Sequence, residues 1–407
     1  MSKYYEPEKR ATRPSTSGWG LLEEGRQWYA KDTHRLEYWD GTQVQSQAVS
    51  PMLRAIYEYC VYKDANYVYV ANGKTGGVTT YPLSTPAAAI QAALDAVSAD
   101  SRTSSETVQL NDDFLNMEDQ IKMPQYCNLL GPSTLKPINN LNKDLIVLKD
   151  PTNVRAVVLQ EIYIDGNSAN QSSGNGVMFN PNQDLQYTDW EPYYTEALIR
   201  VKARNCKEHG IYLNHTNNVN CGPVYIERLE THQCGGEGMH MANVTDSDIY
   251  AWYSAGAYID HCTSSFFHAP YWGHQSGFDS AIFNNCQRVR VADAKIDSPS
   301  HNGMVLQNGC RSMNICNSEI KIASQLTADN TYDGLKIDGS TYNVIMGVTC
   351  HKTSGTNKVK YCIEEINAGD YNCFGGPLIL EDYVTGGIHK IGANSKIDID
   401  ALIGTSV

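Results

Sequence analysis

From residue 174 onward, apolar and polar positions return in one pattern. A glycine or another small residue precedes a short run whose alternate residues are apolar. The instances are Gly176-Val177-Met178-Phe179, Gly210-Ile211-Tyr212-Leu213, Gly238-Met239-His240-Met241 and Gly256-Ala257-Tyr258-Ile259. Then come Ser280-Ala281-Ile282-Phe283, Gly303-Met304-Val305-Leu306, Gly334-Leu335-Lys336-Ile337 and Cys362-Ile363-Glu364. The mean step is about 27 residues, inside the range of roughly 20–50 that marks repeat architectures. Each run is followed by a polar residue, a turn and a second apolar run, such as Val224-Tyr225-Ile226, Val289-Arg290-Val291, Met313-Asn314-Ile315 or Val344-Ile345-Met346. Two or three strands per step, with no helical stretch between, exclude a leucine-rich horseshoe and a βαβ sheet. Parallel strands ordinarily need long crossovers, and here the rest of each coil is the crossover. The pattern predicts an all-β chain that forms a right-handed parallel β-helix from about Thr107 onward.

The pattern changes upstream. Thr85 is placed to cap a helix, Pro86 suits its first turn, and Ile90, Leu94 and Val97 form one apolar stripe. The strand pattern Thr107-Val108-Gln109-Leu110 follows directly, so the helix is expected to cover the exposed apolar end of the solenoid. Further back, two aromatic runs flank Lys31-Asp32-Thr33-His34, and Asp40-Gly41 closes the second, which reads as a β-hairpin. The expected organisation is a small β-rich N-terminal module over 1–80, the β-helix over 81–390 and a C-terminal cap over 391–407.

Composition narrows the function classes. The 407 residues carry a net charge of −13, and no basic stripe offsets it. Such a surface repels nucleic acid and anionic lipid, so no nucleic-acid partner is expected. No apolar run reaches the ~18 residues of a membrane span, so no membrane insertion is expected. Met1-Ser2-Lys3-Tyr4-Tyr5-Glu6 has no apolar signal core, which predicts synthesis in a cytoplasm. The chain has 12 Cys, but none forms a Cys-x-x-Cys pair. Cys262, Cys286 and Cys310 fall at one repeat position and are expected to stack inside as free thiols. No metal site and no cofactor are expected.

Together these residues resemble the pectate-lyase-like right-handed β-helix of phage tailspikes and polysaccharide-degrading enzymes, over roughly residues 84–390. The helix from Thr85 to Val97, the opening strand at Thr107 and Leu129-Leu130-Gly131 carry the likeness. The hairpin resembles a short motif of phage tail proteins, W-Y-x-x-D-T-x-x-L-x-x-W-D-G-T, here Trp28 to Thr42. The resemblance implies a virion tailspike or tail fibre, located in the virion tail and made in the host cytoplasm. It implies a homotrimer whose N-terminal module joins other virion tail proteins and whose shaft faces a host surface glycan. Some members cleave that glycan. The motif set of polygalacturonase-type members is not intact here, and Ser300-His301-Asn302-Gly303 only echoes its His element.

Strand alternation sorts the faces. The outward column is Met178, Tyr212, His240, Tyr258, Ile282, Val305, Lys336 and Glu364. One position before the small residue, also outward, lie His209, Glu237, Asp279, Asn302 and Asp333. Glu237 and Asp279 stand two coils apart, so their Cα atoms are expected ~10 Å apart. Their carboxyl groups then approach the roughly 6.5–9.5 Å of an inverting acid–base pair. Neighbouring acids also raise one another's pKa, which keeps one of them protonated as the general acid. His240 and Tyr258 would position sugar hydroxyls. The stretch from Phe266 to His274 is rich in rings outside the repeat pattern, so Tyr271 and Trp272, with Trp252 and Tyr253 one coil earlier, are expected to contact sugar. A subunit interface is the open alternative. Glu227, Glu230, Asp246, Asp248, Asp293 and Asp297 offer rival pairs, so a glycoside hydrolase, a polysaccharide lyase and a non-catalytic receptor-binding fibre all stay open.

Overall fold

The structure is a computed structural model. It describes residues 57–98, 106–182, 195–216, 223–250, 253–273, 279–297, 299–321, 331–351, 358–381, 383–397 and 402–403, with short strands at 8–10, 27–30, 35–39 and 44–47.

Each full coil contributes three strands to three parallel ladders. The first ladder is an eleven-stranded sheet running from Ile121–Met123 to Tyr383–His389. It includes Ile211–Asn214, Met239–Ala242, Ala257–Asp260 and Ala281–Asn284. The second ladder includes Val224–Glu227, Asp248–Tyr250, Phe266–His268 and Arg290–Ala292. The third includes Glu230–His232, Tyr253–Ser254, Tyr271–Trp272 and Lys295–Asp297. The chain is a right-handed parallel β-helix, as the repeat predicts.

Register follows the sequence alternation. Met178, Tyr212, His240, Tyr258, Ile282, Val305, Lys336 and Glu364 stand opposite one another on successive rungs. Their strand neighbours, such as Ile211, Leu213, Met239 and Met241, are fully buried. The corner between the second and third ladders is made by one residue in the left-handed region. Arg228 (φ 52°), Ala269 (φ 46°), Asp293 (φ 57°), Asn317 (φ 50°) and Gly347 (φ 64°) fill it on five coils. One such residue turns the chain in the least length, so the two strands meet almost end to end.

The Cys ladder is present. Cys262, Cys286 and Cys310 are buried free thiols. Cys286 Sγ donates to Ile259 O at 3.3 Å and Cys310 Sγ to Phe283 O at 3.1 Å, each reaching one rung back.

Helix α1 (Pro86–Ser98) packs Ile90, Leu94 and Val97 into the core, which covers the apolar end of the coils. Its N-terminus is capped differently from the expectation. Thr85 Oγ1 donates to Pro82 O at 3.2 Å. The carboxylate of Glu118 accepts from Ala87 N at 3.0 Å and Ala88 N at 2.9 Å. An anion there satisfies two orphan donors and complements the helix dipole, so a carboxylate distant in sequence replaces the local hydroxyl. Strands Tyr59–Lys63, Tyr67–Asn72 and Val78–Pro82 form an antiparallel meander, and the first pairs with Glu106–Leu110. The expected hairpin forms between Gln27–Ala30 and Arg35–Trp39, inside a four-stranded sheet. Among the described residues no helix is long and apolar enough to cross a membrane.

One expectation is corrected. The stretch from Phe266 lies inside the repeat: Phe266–His268 is a second-ladder strand and Tyr271–Trp272 a third-ladder strand. The left-handed turn at Ala269 keeps the alternation in step, so Phe267 and Trp272 point inward and are fully buried. Trp272 packs against Phe283 in an edge-on contact at 6.0 Å. It is a core residue and offers no surface to sugar.

Candidate functional site

In each coil the third ladder precedes the first, with only Ala255 and Gly256 between Ser254 and Ala257, and each of the two ladders carries a stripe of side chains. On the first ladder, Tyr212, His240 and Tyr258 occupy the outward column on consecutive rungs. Their rings stack at 4.8 Å and 5.0 Å, which is the rung spacing itself. On the third ladder His232, Tyr253 and Tyr271 do the same, at 4.5 Å and 5.0 Å.

Charged groups flank both stripes. His209 Nδ1 lies 3.0 Å from Glu237 Oε2, and His240 Nδ1 lies 3.9 Å from the same oxygen. Gly236 makes room for this: a Cβ there would stand 2.7 Å from His209 Nδ1. Burial works against ionisation of Glu237, but the His209 hydrogen bond and the neighbouring His240 outweigh it and hold the carboxyl well below its usual range. Burial likewise favours neutral His209, yet its bond to Glu237 raises its pKa above the ordinary value. The arrangement is an ionised carboxylate between two imidazoles.

On the third ladder, Tyr271 Oη donates to Asp297 Oδ2 at 2.7 Å, and Lys295 Nζ sits 5.1 Å over the Tyr271 ring. Burial and the Asp297 bond push the Tyr271 phenol up, so it stays a donor. His232 Nε2 lies 3.1 Å from Glu230 Oε1. A groove of about 610 Å³ opens beside them, lined by Tyr163, Lys202, Arg204, Glu230, His232 and Gln233. It mixes two cations, one carboxylate and ring edges, a lining suited to a hydroxyl-rich ligand.

The structure brings Glu237, His240 and Tyr258 together, and Tyr253 with Tyr271. It puts Asp279 in a separate network, where Asp279 Oδ1 accepts from Asn302 N at 2.8 Å and Asn302 Nδ2 at 2.9 Å. Trp272 is in the core. Trp252 lies outside the described residues.

Sequence reading did not assign His209 or His232 a role, although His209 stands in the column that supplied Glu237. It also missed a second acidic centre. Burial and the neighbouring Glu364 push Asp333 up to about 7. Glu364 feels the same burial, but its bonds to Asp333 and to Lys360 Nζ, 2.6 Å away, hold it below the usual range. Asp333 and Glu364 belong to different columns on adjacent coils, and only register brings them together.

No family model and no curated protein matches this sequence. Solved structures do. The A-module of the mannuronan C-5 epimerase AlgE4 from Azotobacter vinelandii superposes with a TM-score of 0.55 at 14% identity, covering 77% of this chain and 96% of that one. The A-module of the AlgE6 epimerase from the same organism gives 0.50 at 14%, covering 79% and 95%. Full-length tailspike protein 2 of the Escherichia coli O157:H7 bacteriophage CAB120 gives 0.50 at 12%, covering 79% of this chain and 45% of that one. The shared feature is the right-handed parallel β-helix. This chain thus shares the β-helix fold of both the epimerase modules and the tailspike, and it covers under half the length of that tailspike.

Proposed function

We propose that this protein is a virion tailspike that binds a host surface polysaccharide along the corner between its third and first ladders. The observation that carries the reading is the pair of ring ladders with charged groups at their flanks. Stacked rings use their faces on one another. What they offer outward is edges, with phenol hydroxyls and imidazole nitrogens at successive rungs. A sugar chain needs repeated donors and acceptors at that kind of interval, and the rim charges select its substituents. The named activity of one structural neighbour, a mannuronan C-5 epimerase, supports a polysaccharide ligand, and the phage tailspike neighbour supports the virion reading. In this reading residues 1–80 join the spike to other tail proteins and the assembly is a homotrimer, for which light scattering should give three chains.

The test uses the full chain and a panel of capsules and lipopolysaccharides from candidate hosts. One of them should bind, and Tyr253→Ala with Tyr271→Ala should weaken that binding at least about tenfold, ~1.4 kcal/mol, with the fold unchanged by circular dichroism. Binding indifferent to both changes, or no binding to any glycan, overturns the reading.

Cleavage of the bound glycan is a second reading, and one observation favours it. An imidazole backed by a carboxylate stands there, with His209 Nδ1 3.0 Å from Glu237 Oε2, a pairing that general acid–base catalysis uses. Release of reducing ends that disappears in Glu237→Gln would establish it, whereas binding without release leaves a receptor-binding spike.

A further inference from the structure

His209, Glu237 and His240 sit half-buried at the corner and bring three donor atoms within 4.8 Å of one another. Two of the separations from Glu237 Oε2 are 3.0 Å and 3.9 Å, to His209 Nδ1 and His240 Nδ1. A tetrahedral ion with bonds of about 2.0–2.1 Å sets neighbouring donors about 3.4 Å apart. The observed values fall on either side, within reach of small side-chain rotations. His240 Nδ1 is buried and makes no hydrogen bond. Buried polar atoms are seldom left so, and this one is turned toward the Glu237 carboxylate. Its ring is held in place by Tyr212 on one face and Tyr258 on the other.

We propose that His209, Glu237 and His240 bind a divalent transition-metal ion of the zinc class, with a fourth position open to water or to an oxygen of a ligand. Two imidazole nitrogens and one carboxylate suit such an ion. Calcium and magnesium call for oxygen ligands in larger number. Gly236 is a positioning residue, because any side chain there displaces the His209 ring. Metal binding stands apart from the polysaccharide reading, and its test needs no glycan.

The full chain, stripped of metal with a chelator and dialysed, is titrated with Zn²⁺ by calorimetry and with Co²⁺ by visible absorption. The expected result is one equivalent per chain and a tetrahedral cobalt spectrum without thiolate charge-transfer bands. Affinity should fall at least about 100-fold in His209→Ala, His240→Ala and Glu237→Gln, more than the 10–100-fold typical of outer partners, and by less in Gly236→Ala. Glu237→Gln keeps the shape of the side chain and so holds the test open if a histidine variant misfolds. Absence of saturable binding, thiolate bands, or equal affinity in wild type and Glu237→Gln overturns the proposal.

Discussion

Glu237 and Asp333 occupy the same place in their coils, one residue before the glycine that opens a first-ladder strand, yet they are held in opposite states. Glu237 has His209 on the preceding rung and His240 on its own strand, and it stays ionised. Asp333 has Glu364 one rung on, and it keeps its proton up to about 7. The coil fixes where a side chain stands, and the neighbour one rung away fixes its chemistry. The outward column shows the same division. It is aromatic at Tyr212, His240 and Tyr258, and it is closed over at Val305 and Glu364, which are only 3% and 4% exposed. The open, ring-lined part of the column therefore belongs to the coils around 209–271, and the later coils carry buried polar networks.

The largest expected effect lies in one of those networks. Glu365 is fully buried and accepts from Asn372 Nδ2 at 2.6 Å, Ser395 Oγ at 2.7 Å, Gly392 N at 2.9 Å and Ile391 N at 3.1 Å. Glu365→Ala leaves these donors without that acceptor. The cost is expected at about 3 kcal/mol or more, read by denaturant unfolding. A loss under about 1 kcal/mol would mean the last coils do not depend on this carboxylate.

Asp333 comes next. Its pKa is raised in the folded chain, so its contribution to stability is fully present below the unfolded value near ~3.9 and is lost as pH rises through about 7. Glu364, held below its usual range, offsets part of this. The melting temperature should fall between about pH 4 and pH 7 and level off above, and Asp333→Asn should remove most of that fall, on the order of 1–2 kcal/mol after the offset from Glu364. Parallel pH profiles of wild type and variant would contradict the assignment.

The effect at Glu237 is smaller and runs with a different pH window. Its depressed pKa gives stability present above the unfolded value near ~4.3 and lost as pH falls through the lower folded value. The raised pKa of His209 gives stability present below its unfolded value near ~6.5 and lost as pH rises through the higher folded one. Glu237→Gln should therefore cost most between about pH 4.5 and 6.5, about 1–2 kcal/mol, and less on either side. Equal cost at pH 5 and pH 9 would mean that packing and not the ion pair is responsible.

Much of this was legible in the chain itself. Alternation after each small residue gave the buried and outward positions, because a strand has a period of two and a slip of one would have turned Ile211 and Leu213 to solvent. Tyr253 and Tyr271 were expected together because Tyr253 lies one coil before the ring-rich stretch, and they pair on adjacent rungs. Trp272 was misread because its strand is two residues long and follows a one-residue turn at Ala269, so the repeat is hidden there. Partners across rungs were harder to see. Glu237 with His209, Asp333 with Glu364, and Glu118 at the helix N-terminus each depend on the exact register of coils of unequal length. Asp279 stands where the repeat put it, but Asn302 on the next rung engages its carboxylate.

The central claim is that a sugar chain lies along the ladders, across several rungs. It is tested most directly by affinity against oligosaccharide length, using a graded series from the polysaccharide that binds. Affinity should rise with each added unit until the chain spans the rungs from 209 to 271, then level off. Binding of one or two sugar units as tight as that of the longest chain would contradict the account.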